Sequence, residues 1–204
     1  MKIPNIQGII DRRMLVNYVA DPKVVQRIVP QPFQPKIYNG KAIIGICLIR
    51  LKYIRPKGLP YFIGIGSENA AHRIAVEWEE DGQIKEGVFI PRRDSSSWLN
   101  NLTGGRIFPG KHYHAKFDVK ELNGNYHIAF KSSDDTSVSV DAVVSDTIDS
   151  DSIFKDLDLA SQFFQNEKLF PKNSVQFDNA LLMTNIRHEW RSIESKSACE
   201  CIDQ

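Results

Sequence analysis

Three dipeptides constrain the architecture of this chain more than anything else in it: Asn39-Gly40, Asp81-Gly82 and Asn123-Gly124. Such pairs suit the two central positions of a tight β-hairpin turn, where both residues need a positive φ. Each lies between apolar stretches of strand length. Ala42 to Ile49 is apolar on both faces and reads as a central strand. His72 to Trp78 and Ile84 to Ile90 flank the second turn. After it, Tyr113, Ala115, Phe117 and Val119 alternate with polar residues, and Tyr126, Ile128 and Phe130 follow the third turn. Val138, Val140, Ala142 and Val144 alternate again, and Arg13 to Val19 and Ile186 to Ile193 read as a first and a last strand. Helical signals are few. Asp21 followed by Pro22 is a helix start, acid at the N-cap and proline in the first turn. Ser152 to Asn166 has helical period, with Ile153, Phe154, Leu157, Ala160, Phe163 and Phe164 on one face. Many hairpins and few helices predict an α+β fold with a large antiparallel, barrel-like sheet.

With 204 residues and no linker or repeat, residues 1–204 are expected to form one domain. The 26 basic and 25 acidic residues nearly cancel, which gives no reason to expect nucleic acid as a partner. No segment approaches the ~20 apolar residues of a membrane span, and the start at Met1 lacks a signal-peptide run, so no membrane partner is expected. Cys47 lies in an apolar run as a buried thiol, while Cys199 and Cys201 are too isolated for a metal site. A cytoplasmic location follows as the default.

Candidate chemistry concentrates between residues 87 and 114. The strand Gly87-Val88-Phe89-Ile90-Pro91 delivers Arg92 and Arg93, of which alternation lets only one face a cavity. Asp94 is expected to cap a helix over Ser95 to Leu102. Arg106 follows Gly104-Gly105 and could clamp an anion, since guanidinium offers paired donors to a carboxylate. His112 and His114 share one strand face, a spacing able to chelate a metal. Trp78, Trp98 and Trp190 are expected in the core or a cavity wall.

The run Tyr38-Asn39-Gly40-Lys41-Ala42 to Ile46, then Arg55-Pro56-Lys57-Gly58-Leu59-Pro60, Ser67-Glu68-Asn69, Gly87 to Asp94 and Gly104 to Gly110, resembles an uncharacterised branch of the acetoacetate decarboxylase-like superfamily. The resemblance covers residues 13 to 193. It implies a curved antiparallel β-barrel-like sheet around a central cavity, with helices packed outside. In the superfamily's namesake a lysine forms a Schiff base with a β-keto acid, and its amine must be free at neutral pH. The resemblance makes Lys111 the nearest counterpart, after Gly105-Arg106, Pro109 and Gly110, and Glu68 the counterpart of an acidic site residue. Lys116 is a weaker second choice.

Three functions compete. The first is a small-molecule-binding protein or enzyme whose cationic cavity takes a small organic acid or another anion, lined by Glu68, Arg92 or Arg93, Arg106, His112 and His114. The second is a Schiff-base lyase using Lys111 with Glu68. The third is a metal-dependent barrel enzyme using His112 and His114. No cofactor is called for under the first two, and assembly into a homo-oligomer is left open.

Overall fold

The computed structural model describes residues 6–97, 111–145, 147–165, 168–169 and 193–195. Strand β1 spans Ile6–Ala20 and is followed by a short helix, α1 (Pro22–Gln26). As the sequence predicts, the Asp21 side chain caps this helix, accepting from the Lys23 amide at 2.7 Å. Two short strands, β2 (Gln34–Pro35) and β3 (Ile37–Tyr38), lead into β4 (Lys41–Pro56). Then come β5 (Ile65–Glu80), β6 (Gln83–Ser95), β7 (Lys111–Leu122), β8 (Asn125–Ser132) and β9 (Ser137–Val144). Helix α2 (Leu157–Gln165) and the short strands β10 (Lys168–Leu169) and β11 (Ile193–Ser195) complete the described elements.

All three dipeptide turns adopt the expected geometry. Their φ values are 46° and 75° at Asn39 and Gly40, 54° and 72° at Asp81 and Gly82, and 48° and 79° at Asn123 and Gly124. Two left-handed residues in succession match the right-handed twist of the strands they join.

The strands form one sheet in the order β1-β4-β5-β6-β7-β8-β9-β11. The first four and the next three are antiparallel among themselves. The seam between these halves is parallel, from Arg92 opposite Lys111 to Ser95 opposite His114. A wholly antiparallel sheet is therefore corrected at this point. The physical reason lies in the connection: residues 96–110 are long enough for the crossover of about a dozen residues that a parallel pair needs.

The sheet curls on itself. Met14, Val16, Leu48 and Ala70 from one half pack in a single buried cluster with Ala115, Ile128, Phe130, Val140 and Ala142 from the other. Among the described residues no ladder joins β1 to β11, so the curl is open. On the outer face α2 lays Phe163 and Phe164 with Phe154 over Ile43 and Ala75. A third cluster seats Val25 and Val29 beside Phe33 and Trp78, whose rings meet edge to face at 5.2 Å.

Three expectations need adjustment. Helix α2 begins at Leu157 rather than Ser152, because the Asp156 side chain accepts from the Leu159 amide at 2.8 Å and so starts the helix there. Ile153 and Phe154 still pack on the sheet, from the turn before the helix. Asp94 caps no helix: it lies within β6, and Ser95 is still strand. Of the final strand, residues 186–192 lie outside the described residues, as do Trp98 and Trp190.

Phe164 is 7% exposed within the α2 cluster. Phe164→Ala should cost about 3 kcal/mol in a denaturant titration, the range for deleting a buried phenylalanine. A loss under about 0.5 kcal/mol, typical of a surface change, would contradict this packing.

Candidate functional site

The inner face of the curl is apolar at its centre and polar toward both ends. At one end the register sets Arg12 opposite Arg50, and Arg50 opposite Glu68. Alternation then puts all three side chains on one face of three adjacent strands. Glu121, the penultimate residue of β7, reaches the same spot from the other half of the sheet.

These four residues close a ring. Glu68 accepts from Arg12 Nη2 at 2.5 Å with one oxygen and from Arg50 Nε at 2.5 Å with the other. Glu121 accepts from Arg50 through both guanidinium nitrogens at 2.9 Å, and also from Arg12 Nη1. Each carboxylate thus bridges both cations. A bulge between Ile10 and Arg12 turns Asp11 toward the same group, where it accepts from Lys52 at 2.8 Å and Arg50 at 3.4 Å.

Burial opposes the charge on Arg50, but its bonds to Glu68 and Glu121 outweigh it and raise the guanidinium pKa. Burial likewise opposes ionisation of Glu121, yet bonds from Arg12 and Arg50 hold its carboxyl below the ordinary value. The Arg12 side chain is only 7% exposed. Among the described residues its Nε, a buried donor, has no hydrogen-bond partner.

The other polar network surrounds Asp94, which is completely buried. Its carboxylate accepts from Arg92 Nη2 at 2.7 Å and from Ser132 Oγ, and His72 Nε2 lies 3.0 Å away. Arg92 continues outward to Asp134 at 2.6 and 2.9 Å and lies 4.0 Å from the centre of the Tyr113 ring. Bonds to Asp134 and then Asp94 raise the Arg92 pKa. Burial works against the Asp94 anion, but bonds from His72, Arg92 and Ser132 lower its pKa to about 2. The group has the character of a strand clamp, tying β5, β6 and β8 together.

The residues singled out from the sequence are dispersed by this geometry. Glu68 sits in the ring. Arg92 faces inward to Asp94, and Arg93 faces the opposite side, where burial presses its pKa down to about 10. Lys111 is exposed at the start of β7, in register with Arg92. Arg92 is in turn opposite His72, four residues along β5 from Glu68, roughly 13 Å at 3.3 Å per residue. Lys111 and Glu68 are therefore not brought together at one point. His112 and His114 lie on the face opposite to Lys111, His112 in register with Arg93. Among the described residues no group of three or more His, Cys, Asp and Glu side chains is placed to hold a metal ion. Arg106 lies outside the described residues.

Arg12, Arg50 and Glu121 carry no motif, and residue types alone did not single them out. The available signal was positional. Arg50 continues the apolar face of Ile46 and Leu48, and Arg12 that of Met14 and Val16, so each is a charge on a strand face bound for the interior.

A family model of uncharacterized conserved proteins, DUF2071, matches residues 10–200. The chain belongs to that family. No curated protein matches it. Among solved structures the fold is similar to acetoacetate decarboxylase from Legionella pneumophila, with a TM-score of 0.54 and 16% identity over 72% of this chain and 52% of that one. It is also similar to an acetoacetate decarboxylase-like enzyme from Sphingomonas wittichii, with a TM-score of 0.50 and 11% identity over 71% of this chain and 59% of that one. An enduracididine biosynthesis enzyme matches with a TM-score of 0.50 and 12% identity, over 69% and 55% of the two chains. This chain matches between half and three-fifths of the length of these proteins. At such identities the likeness shows the fold alone: this DUF2071 chain folds like the acetoacetate decarboxylase-like proteins.

The Asp94 carboxyl is more acidic in the folded protein than its ordinary value of 3.8. Its stabilising effect is therefore complete above pH 4 and is lost as the pH falls from 4 toward 2. The linkage amounts to about 2 kcal/mol, at 1.36 kcal/mol per pKa unit. Denaturant titrations at pH 5 and at pH 2 should show the parent losing about that much more than Asp94→Asn. Equal losses would contradict the Asp94 network.

Proposed function

We propose that this DUF2071 chain binds a small organic acid at the inner face of its curled sheet, with Arg12 and Arg50 holding the acid's carboxylate. One observation carries this reading. Two guanidinium groups lie side by side against the interior, bridged by Glu68 and by a second, more exposed carboxylate, Glu121. A ligand carboxylate has the same two-oxygen geometry and suits the same paired donors. Glu68 anchors the arginines from within β5, with its amide donating to Ser96 Oγ. Glu121, beside the Asn123-Gly124 turn and more exposed, is the member that gives way to a ligand.

Charge favours an acid over a neutral ligand. With Glu121 displaced, two arginines face one glutamate, an excess of one positive charge that the ligand neutralises. In a site partly withdrawn from water such compensation is worth more than on an open surface. The fold likeness to acetoacetate decarboxylase agrees with a small oxo acid as the ligand class. The same reading takes residues 1–204 as one domain whose sheet rolls into a barrel around the ligand. It places the protein in the cytoplasm, where the buried Cys47 thiol stays reduced.

Isothermal titration with a panel of small oxo and hydroxy acids tests the reading. Arg50→Ala should weaken the best ligand by about 1.5–3 kcal/mol, the scale of a charge-assisted hydrogen bond. Glu121→Gln removes the competing carboxylate charge and should tighten binding. Unchanged affinity in both variants would overturn the site. Borohydride treatment with an oxo acid should leave Lys111 unmodified, and a trapped adduct there would move the chemistry to the lyase.

A further inference from the structure

The connection between β4 and β5 differs in character from every other turn described above. Leu59, Tyr61, Phe62 and Ile63 stand in solvent there, with Phe62 86% and Tyr61 60% exposed, and Tyr53 and Ile65 are exposed beside them. Clustered exposed apolar side chains usually mark a contact surface.

This tip is held in shape. Arg55 is buried and donates to the carbonyls of Tyr53 at 2.7 Å and Leu59 at 2.8 Å. Its guanidinium lies 3.9 Å from the centre of the Tyr61 ring, and Tyr53 and Tyr61 meet edge to face at 5.5 Å. Tyr53 adopts φ 55°, a left-handed conformation unfavourable for an aromatic residue. Gly64 lets the two arms close, since a Cβ there would stand 2.6 Å from the Tyr53 Cα. The fold thus maintains the apolar projection against local backbone preference.

Charge is segregated here as well. Leu51 to Ser67 contains Lys52, Arg55 and Lys57 and no acidic residue, in a chain whose charges otherwise nearly cancel. The paired stretch Ile6 to Ile10 is uncharged. Lys52 is matched by Asp11, while among the described residues Arg55 and Lys57 have no carboxylate partner.

We propose that this tip docks on an anionic lipid bilayer, placing Phe62 and Tyr61 among the headgroups with Lys57 against the lipid charge. An exposed aromatic tip fits a deformable lipid interface, where the Tyr61 ring with its one polar end is favoured and the apolar Phe62 ring can leave water. An acid-free basic flank is drawn to an anionic surface. Two copies meeting tip to tip would bring like charges together. The contact is peripheral, a loop lying in the interface, and so departs from the expectation of no membrane partner, which rested on the want of a spanning segment; among the described residues no helix is long and apolar enough to cross a membrane.

Co-sedimentation of the full chain with phosphatidylcholine vesicles, with and without phosphatidylglycerol, tests this. The parent should pellet with the anionic vesicles, and less so at high salt. Phe62→Ser and Lys57→Glu should each weaken that binding by about tenfold while melting at the parent's temperature. If Phe62→Ser melts lower, Lys57→Glu alone decides. Failure of the parent to bind, or variant binding equal to the parent's, would overturn the proposal. Equal binding to neutral vesicles would overturn it too. So would a parent oligomer that Phe62→Ser dissociates while vesicle binding stays the same, which would assign the tip to a second copy.

Discussion

The rolled sheet depends on the ion-pair ring of Arg12, Arg50, Glu68 and Glu121. Strand β7 is tied to β6 by only a four-residue parallel ladder, after which it crosses to the far half of the fold. At its other end Glu121 is gripped by arginines of β1 and β4. Removing four charges from water is costly, and their mutual attraction offsets that cost only with good geometry and saturated bonding. The ring has that geometry, since each carboxylate spans both guanidiniums. Its contribution is chiefly one of placement: deleting the buried Arg12 would leave a carboxylate charge uncompensated, at up to about 3–5 kcal/mol. Stability comes mainly from the apolar band beneath, where Leu48 and Ile128 are fully enclosed.

A second network lies further along the same face, where Asp94 is opposite Ala70, two residues along β5 from Glu68. Asp94 has no exposure, and four donor atoms on three side chains converge on it or lie within bonding distance. The two networks thus play different parts on one face. Around Asp94 every group is committed to another strand, which leaves little capacity for a ligand. In the Arg12–Arg50 ring one bridging group, Glu121, is more exposed than Glu68, and among the described residues the buried Arg12 Nε has no partner. That contrast places the candidate site at the ring rather than at the Arg92 end, although both contain arginines facing inward.

Much of this architecture was legible in the sequence, because hairpin chemistry is local. Asn-Gly and Asp-Gly fix a turn through their own backbone preferences, and Asp21-Pro22 starts a helix in the same way. What was not legible is non-local. The parallel seam depends on where a long connection returns the chain, which residue patterns do not state. Arg12 and Glu121 are 109 residues apart, and nothing in either segment names the other. Asp94 was misread because an acid before three serines resembles a helix cap. In the fold, His72, Arg92 and Ser132 satisfy it as a strand residue instead. Alternation puts Arg92 and Arg93 on opposite faces of β6, and only the register shows that Arg92 shares the face of His72.

The fold likeness to acetoacetate decarboxylase leaves the chemistry open, because Lys111 stands at the end of β7 opposite to the ring. A crystal structure of the protein soaked with a small oxo acid addresses the central claim most directly. The account predicts the acid's carboxylate between the Arg12 and Arg50 guanidiniums, with Glu121 swung out toward solvent and Glu68 unmoved. A closed ring with the acid bound beside Lys111 would contradict it.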